Sequence, residues 1–494
     1  MQIPFGEWLP DQPEHNNPGA NIANNVYFAR QSYKRFPSLV NYSTNNIGDD
    51  SRGAGSFRDN SNTVFNFVAN NTDIYQLDGG AFTSRKSSLT GTDTDFWTFT
   101  QFGNYVIASN GVDAPQYYLM GTSTNFANLS SIGTSGTVPN FKVSGVIRDF
   151  LVTGNHSNAS NRIQWSGIND ITTWAAGTKQ SDLQDLPGSG GQITHITSGE
   201  ISYIFRQNQI IRMDYVGGAT IFRLSVISPN RGAVYGRTVC QDNRRVFFYA
   251  DDGFFEINGD QVISIGAEKV NRFFDTDLNK AFSDRICAAV DPFNQLALWL
   301  YPSASDTANT TGICDKVLIY NYATQKWSTA EASASTIFSQ FVGAYTVELM
   351  DIISENLDSI NIALDTDFWS GGQLLLGAID SNYKAAIFSG TANEGEIETS
   401  ELELFPGLRS NITGIRPIVD AEATVTISTK DKLADNPTVS NVSSMNTSGI
   451  NPVRQSGRYV KINVKIPSGG VWKDAQGIDL VASRGGLRWQ IKLI

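Results

Sequence analysis

Short apolar runs separated by Gly, Asn and Asp recur along most of the chain, and residues 245–265, RVFFYADDGFFEINGDQVISI, show the pattern best. Three apolar runs, 246–249, 254–257 and 262–265, are broken by Asp251-Asp252-Gly253 and Asn258-Gly259-Asp260. Asp-Gly and Asn-Gly provide the positive φ angles of tight hairpin turns, here expected at Asn258 and Gly259. Residues 238–241 add a fourth short strand to this meander. Four such strands cannot bury both faces alone; they need copies alongside, which is the logic of a β-propeller blade.

The signal repeats. Residues 63–69 with 73–77 form one strand pair, and 95–101 with 104–108 another, turned by Phe102-Gly103. Further strands are expected at 143–153, 163–165, 193–198, 201–206 and 209–213, and a full four-strand unit at 285–328. Between Phe67, Val106, Leu151, Tyr203, Phe247 and Leu296 the steps are 39, 45, 52, 44 and 49 residues, close to the propeller repeat of about 40–50. Residues 267–284 break the pattern: Val270, Phe273, Phe274, Leu278 and Phe282 recur at helical spacing. The stretch reads as an inserted amphipathic helix packed on the propeller, and only secondarily as a partner groove. Within 330–392, strands are expected at 341–350 and 385–389, with the middle either a seventh, irregular blade or a closing segment. The expected fold is all-β: a six- or seven-bladed propeller over 56–393, preceded by an extended arm at 1–55.

From residue 394 the alternation becomes strict. Val460, Ile462, Val464 and Ile466 share one face of 459–466 and Lys461, Asn463 and Lys465 the other. Residues 424–428 and 489–493 alternate too, which predicts a β-sandwich over 394–494. The Asn/Ser/Thr-rich stretch 430–456 reads as a mobile loop.

Charge separates these parts. Residues 395–494 carry 12 basic and 10 acidic side chains, leaving 25 against 38 for the rest, so the acidity belongs to the propeller. A formal charge of −11 argues against sequence-independent binding of nucleic acid. Three cysteines, Cys240, Cys287 and Cys314, lack metal-ligand spacing and imply no disulfide framework. Neither an amino-terminal export signal nor a membrane span is read from the sequence.

Candidate chemistry is sparse. His15, His156 and His195 have no zinc-site spacing, and no nucleophile elbow accompanies the many Ser and Asp residues. Gly188-Ser189-Gly190-Gly191 lacks the Lys of a phosphate-binding loop and reads as a connector. Asp93-Thr-Asp-Phe-Trp97 recurs as Asp365-Thr-Asp-Phe-Trp369; the paired aspartates could hold Ca²⁺ or cap a turn before a buried Phe-Trp, and the turn is the simpler reading. Residues 166–174 only loosely echo the Asp-box of propeller glycosidases. No catalytic, cofactor-binding or metal-binding residue is assigned, and no enzymatic activity is expected.

Several short motifs resemble the tail hub, or packaged-DNA stabilisation, proteins of short-tailed bacteriophages, which are related in plan to tail nozzle proteins. They are Asn25-Val-Tyr27, Tyr33-x-x-Phe36-Pro37, Asp251-Asp252-Gly253 and Ala267-Glu-Lys-Val-Asn-Arg-Phe-Phe274. Towards the end Phe388-Ser-Gly390, Glu398-Thr399, Arg416-Pro417, Gly457-Arg458-Tyr459-Val460, Gly477-Ile-Asp-Leu480 and Gly486-Leu-Arg488 continue the likeness. The resemblance implies a virion tail protein made in the host cytoplasm. It would form a homo-oligomeric ring, sixfold in such hubs, below the portal and adaptor. It would anchor tail fibre, spike or needle proteins and pass genomic DNA without binding it specifically. No cofactor follows from it. The alternatives are a carbohydrate-binding or glycosidase-like propeller acting at the host surface, and a cellular scaffold propeller. Because a closed propeller is expected to leave no free sheet edge, copies would meet through loops, the arm and the sandwich.

Overall fold

A strand buried on both faces must be apolar at nearly every position, and Leu296–Tyr301 (LALWLY) is buried throughout. Leu296, Leu298 and Leu300 enter one apolar cluster, while Ala297, Trp299 and Tyr301 enter another on the opposite face. The same division holds in Arg245–Ala250, where Val246 and Phe248 face one way and Phe247 the other. In the computed structural model, which describes residues 1–485 apart from 16, 219, 306–309 and 343–373, this two-faced burial recurs around an axis and builds a seven-bladed β-propeller.

Five blades are separate four-stranded antiparallel meanders, spanning residues 53–86, 98–128, 141–185, 193–228 and 240–264. The sixth joins Cys287–Asp291, Leu296–Tyr301, Cys314–Asn321 and the first half of the 16-residue strand Lys326–Phe341. That strand bends near Ala334 and its second half opens blade seven, pairing with Leu374–Asp380, which pairs with Ala385–Ala392. The outermost strand of blade seven is Pro37–Asn41, supplied by the amino-terminal segment. Seven apolar clusters lie between successive blades, the last joining blades seven and one through Phe338, Ile379, Ile387, Val68 and Leu77. Seven interblade cores fix the blade count at seven. The six positions used to measure the repeat, Phe67 to Leu296, all lie on the second strand of their blades.

Some local expectations need correction. The stretch 143–153 is two strands, Phe141–Ile147 and Phe150–His156, around a tight turn with Arg148 at φ 50°; a turn without Gly or Asn left no signal. In the hairpin after Gly253–Asn258, Asn258 pairs with Gln261, so the loop is Gly259-Asp260 and only Gly259 has positive φ, at 64°. That is the type II′ pattern, shifted one residue from expectation. The helix of 267–284 is shorter, an α-helix over Asn271–Asp277 and then a 3₁₀ stretch, Lys280–Arg285. Leu278 is extended between them, and the Asn279 side chain accepts from the Ala281 N–H at 3.2 Å, starting a new turn. The expected strand 341–350 falls mostly outside the described residues, as does 489–493.

The amino-terminal segment is extended, but it is woven into the body. Gln2–Pro4 and the hairpin Val26–Ala29/Ser32–Arg35 pair with Ala475–Arg484 in one sheet of the carboxy-terminal sandwich. Ala20–Asn24 pairs with Gly395–Thr399 in the other. The second sheet continues through Tyr459–Ile466 and Thr424–Lys430, and Val460, Ile462, Val464 and Ile466 are all buried. On its polar face Lys465 meets Glu394 at 2.8 Å and Lys461 meets Glu14 at 2.9 Å. The stretch 430–456 is partly strand, since Asn451–Gly457 pairs with Ser410–Val419. Asn24 bridges to Thr329 of blade six, so this sheet covers that blade's outer strand. The short helix finishes the joint: the Asp11 carboxylate accepts from the Arg272 and Phe273 N–H groups at 2.8 and 2.7 Å. Phe274 is buried against Tyr249, Phe254 and Tyr301, and Trp8 packs edge-on to Phe273. The helical stripe is therefore a packing face, part of one apolar cluster running from blades five and six into the sandwich.

Candidate functional site

The inner strands surround an axial cavity of about 540 Å³ lined by all seven blades. They run in parallel, because equivalent positions are neighbours: a Cβ on Gly53 would meet Trp97, Thr100 bonds Ser144, and the Ile337 N–H meets Cys287 Sγ at 3.4 Å. Residues that precede each inner strand therefore gather at one end of the axis. Arg52 precedes Gly53–Arg58, Phe96 precedes Thr98–Phe102, Arg237 precedes Cys240–Asp242, and Asp284 and Arg285 precede Cys287–Asp291. Lys142 is the second residue of the third inner strand.

This entry end concentrates charge. Arg52, 3% exposed, donates to Asp93 at 2.7 Å and to Asn71 at 3.1 Å, and lies 3.9 Å from Asp50. Burial pushes its pKa below the usual guanidinium range, and the charges of Arg285 and Arg237 act in the same direction. Arg285 approaches Asp50 at 3.4 Å and donates to the Thr311 carbonyl at 2.8 Å. Arg237 stacks over the Phe96 ring at 4.3 Å and donates to Thr336 Oγ1 at 2.9 Å. These three arginines share the wall of a small crevice beside the main cavity. Among the described residues lining the main cavity, Arg237 and Lys142 are the cations and Asp284 is the sole carboxylate.

The sequence-selected residues take other roles. Burial and the Arg162 charge lower His156 to a pKa of about 4, and its Nε2 bonds Thr153 Oγ1 at 3.1 Å. Burial lowers His195 likewise to about 4; it lines the cavity as a neutral imidazole packed on Phe205. His15 lies edge-on to Tyr459 in the sandwich. The three histidines are thus dispersed. Asp95 closes a turn on Thr92 and Trp97 is buried behind it, as the turn reading expects, whereas Asp93 pairs with Arg52 and Phe96 is half-buried on the cavity wall; the 365–369 copy lies outside the described residues. In 166–174, Asp170 accepts from Thr172, Thr173 and Lys179, which together hold its pKa well below the carboxylate range despite partial burial. Gly188 and Gly191 turn their carbonyls, with that of Pro187, onto the buried Arg206 guanidinium at 2.8–3.2 Å. A phosphate loop presents N–H groups instead.

The arginine cluster was invisible to sequence reading because its members are far apart in the chain. One signal exists: Arg237 and Arg285 are 48 residues apart, one blade repeat, and both lie just ahead of an inner strand.

No family model matches the chain, and no curated protein matches it. Solved structures that it resembles include a chain of the "Crystal Structure of Mitotic Checkpoint Complex", at TM-score 0.40 and 10% identity, covering 74% of this chain and 98% of that one. Another is "Structure of the Neurospora crassa Pan2 WD40 domain", at TM-score 0.38 and 7% identity, covering 73% and 96%. A third is the extracellular domain of the putative hybrid two-component system BT4673 from B. thetaiotaomicron, at TM-score 0.42 and 11% identity; the match covers 82% of this chain but 47% of that longer one. Overlaps this loose carry no functional argument, and the propeller assignment rests on the sheet topology and the seven interblade cores.

Proposed function

We propose that the protein is a structural ring component of a short-tailed phage tail, a hub or nozzle that continues the DNA channel below the portal and adaptor and holds the packaged genome. The observation that carries this reading is the rigid fusion of propeller and sandwich: one apolar cluster includes Trp8, Phe254, Phe274, Trp299, Trp327, Val464 and Trp472. A ring under genome pressure needs such a single body, whereas a surface lectin or glycosidase needs only a site. The rim supplies lateral faces. Closure of the propeller still leaves the fourth strand of a blade as an edge, contrary to the expectation that closure removes edges, except in blade six, where the sandwich sheet covers it. On three successive blades these strands expose Leu183 (42%), Val226 (54%) and Ile263 (44%). Such edges invite packing against another chain.

The DNA path would lie between copies and not through a propeller. Adjacent inner strands touch across the axis wall, as in the Thr100–Ser144 hydrogen bond at 2.9 Å, so the ring of copies and not the single propeller would enclose the duplex. The acidic propellers would form part of the wall; like charge acts over about 8 Å at physiological salt and keeps the duplex from sticking. The glycosidase alternative needs two carboxylates flanking the scissile bond, and Asp284 stands without a second carboxylate among the described residues of the cavity lining.

Electron microscopy of the purified protein, alone and mixed with tail-deficient virions, tests the proposal: closed rings, sixfold by resemblance, should form and occupy the tail position. A strictly monomeric protein that never enters the virion would overturn it. Gel shifts with duplex DNA should show no complex at moderate salt, and release of reducing sugar from bacterial polysaccharide would instead promote the enzyme reading.

A further inference from the structure

We infer that the entry end of the axial cavity is a binding site for a small oxyanion, a phosphate or carboxylate group, anchored by Arg237. Other arginines of the propeller, buried or half-buried, use their donors within the protein. Arg206 makes four hydrogen bonds, to three carbonyls and Gln209. Arg245 grips Glu256 with two parallel bonds of 2.6 and 2.9 Å. Arg52 pairs with Asp93. Arg237 alone of these combines a cavity position with almost unused donors: one bond to a threonine hydroxyl, a flat stack on Phe96, and no carboxylate partner among the described residues. A guanidinium held flat by an aromatic face keeps its fork free for a planar, bidentate acceptor.

Its surroundings favour the same ligand. The nearby carboxylates Asp50 and Asp93 are engaged by Arg285 and Arg52, so the cluster of three arginines and two aspartates keeps a charge of +1. Lys142, on the cavity wall, makes no ion pair among the described residues, and Asp284 balances only one of the two lining cations. His195 is neutral there. In a propeller whose net charge is strongly negative, this is a local reversal of sign, and it lies at one end of a cavity of about 540 Å³. That space admits a small molecule bearing one or two oxyanion groups.

Inorganic phosphate is the probe, used at constant ionic strength with chloride as the balancing salt. Because phosphate stabilises folded proteins generally by exclusion from their surface, the deciding quantity is the difference between wild type and Arg237→Gln. In wild type the melting temperature should rise and saturate at millimolar phosphate, and ³¹P lines of free phosphate should broaden on adding protein and sharpen again with excess sulfate. In Arg237→Gln the saturable part should vanish, and in Lys142→Gln the apparent Kd should rise several-fold. Should Arg237→Gln fail to fold, Arg237→Lys, which keeps the charge but loses the fork, should bind at least about tenfold more weakly. Equal saturable shifts in wild type and the Arg237 variants, or no ³¹P broadening with wild type, would overturn the site. Broadening by added duplex that competes with phosphate would transfer the chemistry to the DNA backbone and also overturn it.

Discussion

A guanidinium at 2% exposure is tolerable only when its donors are met, and Arg206 shows how the chain arranges this. The glycine-rich connector at 187–191 has no side-chain bulk to hold its carbonyls away, and a Cβ on Gly190 would come within 2.8 Å of the guanidinium carbon. Arg206→Met should leave three carbonyls unmatched and lower stability by about 3 kcal/mol, since bonds to charged groups contribute roughly 1.5–3 kcal/mol each with partial relaxation; a calorimetric melt measures it. The histidines make a pH prediction. In the unfolded chain each takes a proton near pH 6.5, whereas His156 and His195 in the fold resist until about pH 4. Their contribution is complete above pH 6.5 and is lost progressively as pH falls towards 4, because the unfolded state then binds more protons. For the buried His156 the loss is on the order of 2–3 kcal/mol, and His156→Gln should flatten part of the decline in melting temperature between pH 6.5 and 4.5. At this scale the sequence was informative about what the glycines and aspartates are not, and silent about the arginines. A cluster gathered by ring closure from residues 52, 237 and 285 has no local signature.

Two glycines of the blade-five meander separate backbone strain from steric contact. Gly259 has φ 64° with nothing within 4 Å of a would-be Cβ, whereas at Gly253, with φ 127°, that atom would come within 1.9 Å of the Asn271 amide. Gly259→Val should therefore cost only about 1–2 kcal/mol of local strain. Gly253→Ala, though the smaller change, should cost more, because Asn271 holds the helix to the Phe254 N–H at 3.2 Å and to the Asp252 carbonyl at 3.3 Å. Comparing the two melts decides it; a larger drop for Gly259→Val would contradict this account. Strands were legible wherever burial imposed a period, as in 459–466, or demanded an unbroken apolar run, as in 296–301. Blade seven was not, for a physical reason: its four strands come from three distant parts of the chain, with 32 residues between Phe341 and Leu374, the facing ends of its inner two strands. A repeat that is interrupted in sequence but continuous in space leaves no even spacing to read.

For the molecule as a whole, the amino-terminal 41 residues are structural members of both units. Four of their strands pair in the sandwich sheets, and a fifth closes the propeller. Deleting residues 1–41 should therefore abolish soluble folded protein, whereas an arm lying loosely on the surface would be dispensable; yield and near-ultraviolet dichroism distinguish the outcomes. If the ring proposal holds, charge substitutions at the rim, such as Val226→Asp, should leave the unfolding free energy within about 0.5 kcal/mol of wild type yet block ring formation in the microscope.

The closure by Pro37–Asn41 also sets a timetable. Ala20–Asn24 waits for Gly395–Thr399, and Pro37–Asn41 for Ala385–Ala392, so the first strands made are among the last to find partners. At about 5–20 residues per second of synthesis, some 375 residues of delay is about 20–75 seconds. Throughout that interval the nascent chain carries unpaired strands that match the late strands of any neighbouring copy equally well. Crowded ribosomes on one message would then favour exchange of the first strands between sister chains, and dilution or a holding chaperone would favour self-closure.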